Sequence, residues 1–313
     1  MTDNKIEEIE RYKKSFVYSE SEYEYVSSAF SYDGEIFVTS GGDNTYRIHS
    51  LSNPKEPTIL KSQLFGSGMI KYTHHPHVIL TSFNNRGILN SLGLLCFDTK
   101  EFVRVFHGHT DEIISIDHNN SSDMFLSTSL DSHVMLWDPR ANNPCTSNIF
   151  FGKIFPVACF NNEGTKVVVI EENNGHVFDL KKFPYEPLFN FVLPTERSYR
   201  KVTCSLDGSK VAVSSPSGNI FVIENFESTA PIIRPISTKL TKDSPCIEFS
   251  VDGSRLMFSS GFDGSVNVFN CIDHTTIPMP QSNQTTVRSI KCNYKYPIVA
   301  TTCSVVNWWS YDD

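Results

Sequence analysis

Residues 108–138 read GHTDEIISIDHNNSSDMFLSTSLDSHVMLWD. Three short runs rich in apolar and β-branched residues, IISID, MFLSTS and HVMLW, are separated by Asn-Asn-Ser-Ser and Leu-Asp-Ser. Strand-length runs bounded by such clusters read as antiparallel strands joined by tight turns. The polar residues of the stretch suggest one hydrogen-bonded chain, from the Trp137 indole through the Ser127 hydroxyl and the His109 imidazole to the Asp131 carboxylate. Asp131 would also fix the turn before the third strand. Between packed sheets each of these groups needs its partner, because an unsatisfied buried polar group costs roughly 1–3 kcal/mol. Ser, His and Asp together also admit a nucleophilic triad. Here they would face strand packing rather than a cleft, so the set reads as architecture, not chemistry.

The same unit recurs outward from this stretch as AFSYDGEIFVTS (29–40), CFNNEGTKVVVI (159–170), CSLDGSKVAVSS (204–215) and EFSVDGSRLMFSS (248–260). Asp-Gly between apolar runs is a strong hairpin signal, since glycine takes positive φ without steric cost. Gly34, Gly164, Gly208 and Gly253 mark four turns, and weaker equivalents fall at Pro76, Ser122 and Tyr296. The turns are therefore spaced by 42–46 residues. A third strand follows each hairpin, at 44–50, 92–98, 133–138, 175–180, 218–225, 264–270 and 304–310.

With no convincing amphipathic helix between the strands, the reading is all-β. A period of roughly 40–45 residues with about four strands per unit is that of a WD-repeat β-propeller. Seven units are expected in one domain over residues 13–313, after a tail at 1–12. The last unit runs out at its third strand, and an uncovered edge invites aggregation. Lys14–Tyr18 is the stretch expected to pair outside 304–310 and close the ring, while IEEIERYKK (6–14) reads as one or two helical turns or a frayed tail.

The tryptophan-serine-histidine-aspartate set is complete only in blade 3. Blade 6 offers Ser259 and Asp263 with Phe269 at the tryptophan place, and blade 1 offers Thr39 and Asp43 with His49. Blade 5 has Ser217 and Ile223, and blade 2 has a longer second turn over 83–93. Blades 2, 4 and 5 must rely on apolar packing and are expected to be the most mobile.

Of the 313 residues, 27 are Lys or Arg and 35 Asp or Glu, a net charge of −8. That balance argues against a sequence-independent nucleic-acid binder, which needs a cationic surface to release counterions. No apolar run approaches the roughly 18–20 residues of a membrane span, and the first residues lack a signal-peptide core, so a cytosolic or nuclear protein is expected. The eight cysteines (96, 145, 159, 204, 246, 271, 292 and 303) are widely spaced, without Cys-x-x-Cys, and suit reduced small hydrophobes better than a metal site. Neither a metal nor a cofactor is expected. The chain carries no phosphate-binding, dinucleotide, zinc-protease or nucleophile-elbow motif. The histidine-rich turn Tyr72–His77 has no neighbouring carboxylate or cysteine and reads as an exposed polar turn.

Two surface features stand out. The loops entering blades 5 to 7 carry Arg197, Arg200, Lys201, Lys239, Lys242 and Arg288 against Glu196 and Asp243. Such arginines can make charge-assisted bonds to phosphate, as on a phosphopeptide, or to carboxylate, although a solvated surface of unrelated charges is the plain alternative. Trp137-Asp138-Pro139-Arg140 resembles the element by which some propellers dock onto cullin–RING ubiquitin ligases, with Arg140 as the contact.

Several stretches resemble one subfamily: IKYTHHPHVILTS, FHGHTDEIISI, DMFLSTSLDSHVMLWDPR, FDLKKFPYEPLFNF and VRSIKCNYKYPIVATTCSVVNWWSYDD. Together they are similar to the Swd2-like, or WD repeat-containing protein 82, family. The resemblance implies a nuclear, non-catalytic scaffold subunit of COMPASS-type complexes built on a SET-domain histone lysine methyltransferase. It also implies a place in a phosphatase complex with a PNUTS-like scaffold, which acts in transcription termination and mRNA 3′-end processing. Family members help couple these assemblies to the phosphorylated tail of RNA polymerase II. The cullin–RING substrate receptor is the alternative.

Overall fold

The computed structural model describes residues 12–19, 23–85, 87–152, 154–194, 196, 198–236, 245–260, 264–279 and 285–311. These residues form seven four-stranded antiparallel sheets arranged as the blades of a β-propeller. Blade 1 runs outward through Tyr25–Phe30, Ile36–Gly41, Thr45–Ser50 and Asn53–Lys61. The innermost strands of the other blades are Ile70–Tyr72, Ile113–His118, Val157–Phe160, Lys201–Cys204, Ile247–Phe249 and Ser289–Cys292. Each innermost strand packs against the next, and that of blade 7 returns to that of blade 1.

Burial explains why the alternating pattern is faint in much of the sequence. The second strand of blade 3, Phe125–Ser129, is buried along its whole length because neighbouring blades cover both faces. Strands enclosed on both sides read as continuous apolar runs. The outermost strand Cys145–Phe150 alternates half-buried and exposed residues, as an edge strand facing water on one side should. Every seam between blades has its own apolar core. The seam between blades 4 and 5 is rich in valine: Val157, Val168, Val177, Val211 and Val213 are all fully buried there.

The ring closes through the first described strand. Tyr12–Tyr18 pairs antiparallel with Val306–Tyr311, from Tyr12 opposite Tyr311 to Tyr18 opposite Val306, with a bulge at Ser15. The Ser15 hydroxyl donates to the Trp308 carbonyl at 3.2 Å. Closure thus takes the expected form, but the strand starts two residues before Lys14. Tyr12, which the sequence reading put in the tail, belongs to the strand, so the expected helical turns do not extend over 12–14. The rest of that expected helical stretch lies outside the described residues.

Blade 6 departs from the sequence reading in a side-chain face. Ser259 lies opposite Val266, a separation of seven residues, whereas Ser127 of blade 3 lies opposite Met135, a separation of eight. One residue of offset flips the face. Phe269 stands opposite Leu256 and packs toward blade 5 with Phe258, while Met257, neighbour of Ser259, packs toward blade 7. The Ser259 hydroxyl accepts instead from the Cys246 backbone N–H at 2.8 Å. Asp263, the third member expected there, lies outside the described residues.

Candidate functional site: the polar chain of blade 3 and the central channel

In blade 3 the four polar side chains meet. The Trp137 indole donates to the Ser127 hydroxyl at 2.8 Å, and Ser127 contacts His109 Nε2 at 2.7 Å. His109 Nδ1 lies 2.9 Å from Asp131 Oδ2, which also accepts the Thr110 N–H at 2.8 Å. Asp131 Oδ1 accepts the His133 N–H at 2.9 Å and so shapes the turn in which Ser132 takes φ +66°. Burial lowers the His109 pKa below its ordinary value, outweighing the Asp131 charge. For Asp131, burial pushes the carboxyl up, but the Thr110 and His133 N–H groups and His109 bring it below the usual range. Both ring nitrogens of His109 are engaged, and the serine sits between two blades. Nothing here offers a nucleophile to a substrate.

The other blades replace this chain rather than copy it. In blade 7 the Trp309 indole donates to the Thr301 hydroxyl at 3.1 Å. In blade 1, Asp43 turns to Arg47, whose Nη2 reaches Oδ2 at 2.6 Å, and His49 Nδ1 faces the Pro54 carbonyl at 3.1 Å. Between blades 1 and 2 the Tyr46 hydroxyl meets Thr81 Oγ1 at 2.9 Å. Blade 4 puts Phe178 opposite Val167, both in the seam toward blade 3, and blade 5 puts Ile223 opposite Val211 in the seam toward blade 4.

The inner strands enclose a central channel with two vestibules and a waist. At the waist Lys71 pairs with Asp117 at 2.8 Å and Lys291 with Glu248 at 2.6 Å, each pair bridging neighbouring blades. The upper vestibule, at the end where the blade-to-blade loops enter, is lined by Val26, Met69, Ile114, Arg200, Lys201 and Arg288. The three cations come from the expected set and share this mouth. Arg200 rests over the Phe155 ring at 6.0 Å, Lys201 Nζ points at Cys246 Sγ at 2.9 Å, and Arg288 Nη2 pairs with Glu24 at 2.9 Å. Arg197, Lys239 and Lys242 lie outside the described residues. The lower vestibule, at the end of the hairpin turns, is lined by Tyr32, His118, Asn120, Leu206, Val251 and Tyr294 among others.

The histidine-rich turn does not converge. His74 Nε2 meets the Asn119 carbonyl at 2.9 Å, whereas His77 Nδ1 turns to Asp98 at 2.7 Å. No group of three metal-ligating side chains exists among the described residues. Arg140 is two-thirds exposed, at 66%, with its Nε 3.3 Å from Asp138 Oδ1. The turn that carries Arg140 is clamped from blade 2, where Arg104 donates to the carbonyls of Pro139 at 2.5 Å and Ala141 at 2.8 Å. The sequence reading missed this clamp and the waist. A signal for the waist was present: Lys71 and Asp117, like Glu248 and Lys291, are one repeat apart.

A family model described as "WD domain, G-beta repeat" matches residues 100–138. "WD repeat-containing protein 82" of Drosophila melanogaster is 24% identical over 306 residues, covering 96% of this chain and 95% of that protein. "COMPASS component SWD2" of Saccharomyces cerevisiae is 24% identical over 323 residues, covering 97% and 96%. The β-propeller domain of Cps50 (Swd1) from Myceliophteria thermophila superposes with a TM-score of 0.81 at 10% identity, over 96% of this chain and all of that one. At that identity the likeness concerns the fold.

Proposed function

We propose that this WD-repeat propeller is a non-catalytic scaffold subunit of a nuclear COMPASS-type histone lysine methyltransferase complex. The observation that carries this reading is the alignment over 96–97% of the chain with proteins named WD repeat-containing protein 82 and COMPASS component SWD2. A propeller supports such a role physically, since rigid blades hold separate loop surfaces at fixed distances. The commitment of His109, Ser127 and Asp131 to blade packing agrees with it. Affinity purification of the tagged chain followed by mass spectrometry tests the proposal. Recovery of a SET-domain methyltransferase supports it; recovery of neither that enzyme nor a PNUTS-like phosphatase scaffold would overturn it.

The proposal extends to the second assembly and to the phosphorylated RNA polymerase II tail. Arg200, Lys201 and Arg288, gathered at one mouth, would receive phosphate there, with Arg197, Lys239 and Lys242 as further candidates. Charge-assisted bonds from guanidinium to phosphate are the chemistry invoked. Titration with a phosphopeptide decides the point: equal affinity for wild type and Arg200→Ala/Lys201→Ala removes it. One observation favours the ubiquitin-ligase reading, namely the exposed Arg140 guanidinium. Unchanged binding of a ligase adaptor by Arg140→Ala would dismiss it.

A further inference from the structure

The lower vestibule is built differently from the upper one. Tyr32 stacks on His74 at 5.4 Å and on Tyr294 at 5.5 Å, and His74 meets His118 edge-on at 4.9 Å. Four successive blades (7, 1, 2 and 3) thus supply one aromatic arc, and Leu206 and Val251 complete the apolar side of the mouth. His118 is only 5% exposed, lines this vestibule, and its Nδ1 has no hydrogen-bond partner. Burial, then the neighbouring His74, pushes the His118 pKa down to about 4, so at neutral pH the ring is uncharged and can accept a hydrogen bond. A ring nitrogen left without a partner in a buried side chain is costly.

The turns around this mouth are acidic. Asp33, Asp123, Glu163, Asp207 and Asp252 occupy five of the seven hairpin turns. Local turn hydrogen bonds hold Asp33 and Asp252 below the ordinary carboxyl range, although burial raises Asp252, so both are charged at neutral pH. Of the cations nearby, Lys71 and Lys291 line the vestibule itself and are paired with Asp117 and Glu248, while Lys166 is taken up by Glu227, Lys210 by Asp207 and Lys295 by Glu35. The vestibule therefore combines an aromatic arc, one neutral imidazole with an unpartnered ring nitrogen, and carboxylates in the turns of five blades, of which Asp207 is matched by Lys210 and Asp123 lies 3.8 Å from Arg140.

We propose that the lower vestibule docks a basic segment of a partner protein, one Lys or Arg side chain passing along the edge of the Tyr32–Tyr294 arc toward His118 while flanking cations meet the carboxylates of the turns. Long cationic side chains suit such a site, because the apolar stem can lie against the ring edges and against Leu206 and Val251 while the head stays free to donate. The inference goes beyond the scaffold reading and stands or falls without it, since it specifies a surface and a ligand chemistry rather than an assembly.

The test is fluorescence anisotropy with a short synthetic Lys/Arg/Leu peptide and its Glu-for-cation counterpart, on the full chain. The basic peptide should bind, and more weakly as salt rises. Tyr32→Ala and His118→Phe should each weaken it roughly tenfold or more, while Arg200→Ala at the opposite mouth leaves it unchanged. Asp123→Asn/Glu163→Gln, at turn positions outside the core, should also weaken binding and flatten its salt dependence. That variant keeps the test valid should Tyr32→Ala fail to fold. No binding by the wild type, equal affinity across all variants, or equal binding of the acidic peptide would each overturn the proposal.

Discussion

Gly164→Ala and Gly208→Ala form a matched pair that isolates one inter-blade contact. Both glycines sit in hairpin turns in the left-handed region, at φ +66° and +71°. An alanine there costs about 1–2 kcal/mol of backbone strain, of which about 0.4–1 kcal/mol is offset by the stiffer unfolded chain. At Gly208 that is nearly the whole effect, since an added Cβ would have only Asn162 Cβ nearby, at 3.9 Å. At Gly164 the Cβ would fall 2.1 Å from Asn119 Oδ1, with the rest of the amide at 2.8–2.9 Å. Asn119 is fully buried; its Nδ2 donates to the Gly164 carbonyl at 2.8 Å and its Oδ1 accepts the Ser121 N–H at 2.7 Å. Moving that amide leaves buried groups unsatisfied, about 1–3 kcal/mol. Gly164→Ala should therefore cost about 2 kcal/mol more than Gly208→Ala, which for a chain of this length is a gap of roughly 3 °C in melting temperature. Urea unfolding followed by circular dichroism measures the difference. In an Asn119→Ala background, Gly164→Ala should cost only what Gly208→Ala does. Equal costs for the two glycines in the wild-type background would refute the reasoning.

Ser127→Ala strips both the Trp137 indole and His109 Nε2 of their shared partner, and should cost about 2–4 kcal/mol in urea unfolding; a loss under about 0.5 kcal/mol, within the range of an ordinary surface change, would contradict it. Deleting residues 1–20 uncovers the Val306–Tyr311 edge and should lower the melting temperature and promote aggregation; an unchanged melting temperature would sink the closure argument. Burial pushes His49 and His118 down to about 4 in the fold, so the unfolded chain takes up protons first as pH falls below about 6.5. Stability, complete above that pH, should decline toward pH 4 by about 3 kcal/mol for each histidine; His118→Gln should flatten the decline, and a pH-independent difference from wild type would count against this. Amide exchange should be faster in the second strands of blades 2, 4 and 5 than in Phe125–Ser129 of blade 3; slower exchange in Lys166–Glu171 would reverse the expectation.

Repeat spacing explains what could be read from the chain and what could not. Strand count, blade count and closure follow from the turn signals and from an uncovered last edge, because hairpin chemistry is local and each Asp-Gly or Glu-Gly turn announces itself. The polar chain of blade 3 was equally legible, since its four members have types that only hydrogen bonding to one another would satisfy once buried. Blade 6 misled because face depends on turn length. A single residue of offset put Ser259 on the side away from Phe269, and spacing along the chain does not reveal cross-strand register. In the cationic loops the charge was legible and the direction of each side chain was not. Charge counted along a loop says nothing about direction, and Lys201 turns onto Cys246 while Arg288 turns onto Glu24.

The contacts that escaped the sequence reading join different blades. Lys71 to Asp117, Lys291 to Glu248 and Asn119 to Gly164 all span one repeat. A repeat fixes the distance between two such positions but leaves their chemistry free, so the binding character of a propeller resides where homologous positions differ. The residue that closes each innermost strand's exit is such a position. Around the ring it is Tyr32, His74, Asn120, Asn162, Leu206, Val251 and Tyr294. Seven places that packing treats alike carry three aromatics in successive blades, then two amides, then two aliphatic side chains. Blade packing does not require that order, because the hairpins beside Tyr32 and Leu206 make the same Ser–Asp turn, with Ser31 donating to Asp33 and Ser205 to Asp207. An asymmetry that the scaffold does not need is where a partner's demands should be sought, and it falls on the vestibule lined by His118, whose Nδ1 is buried without a partner.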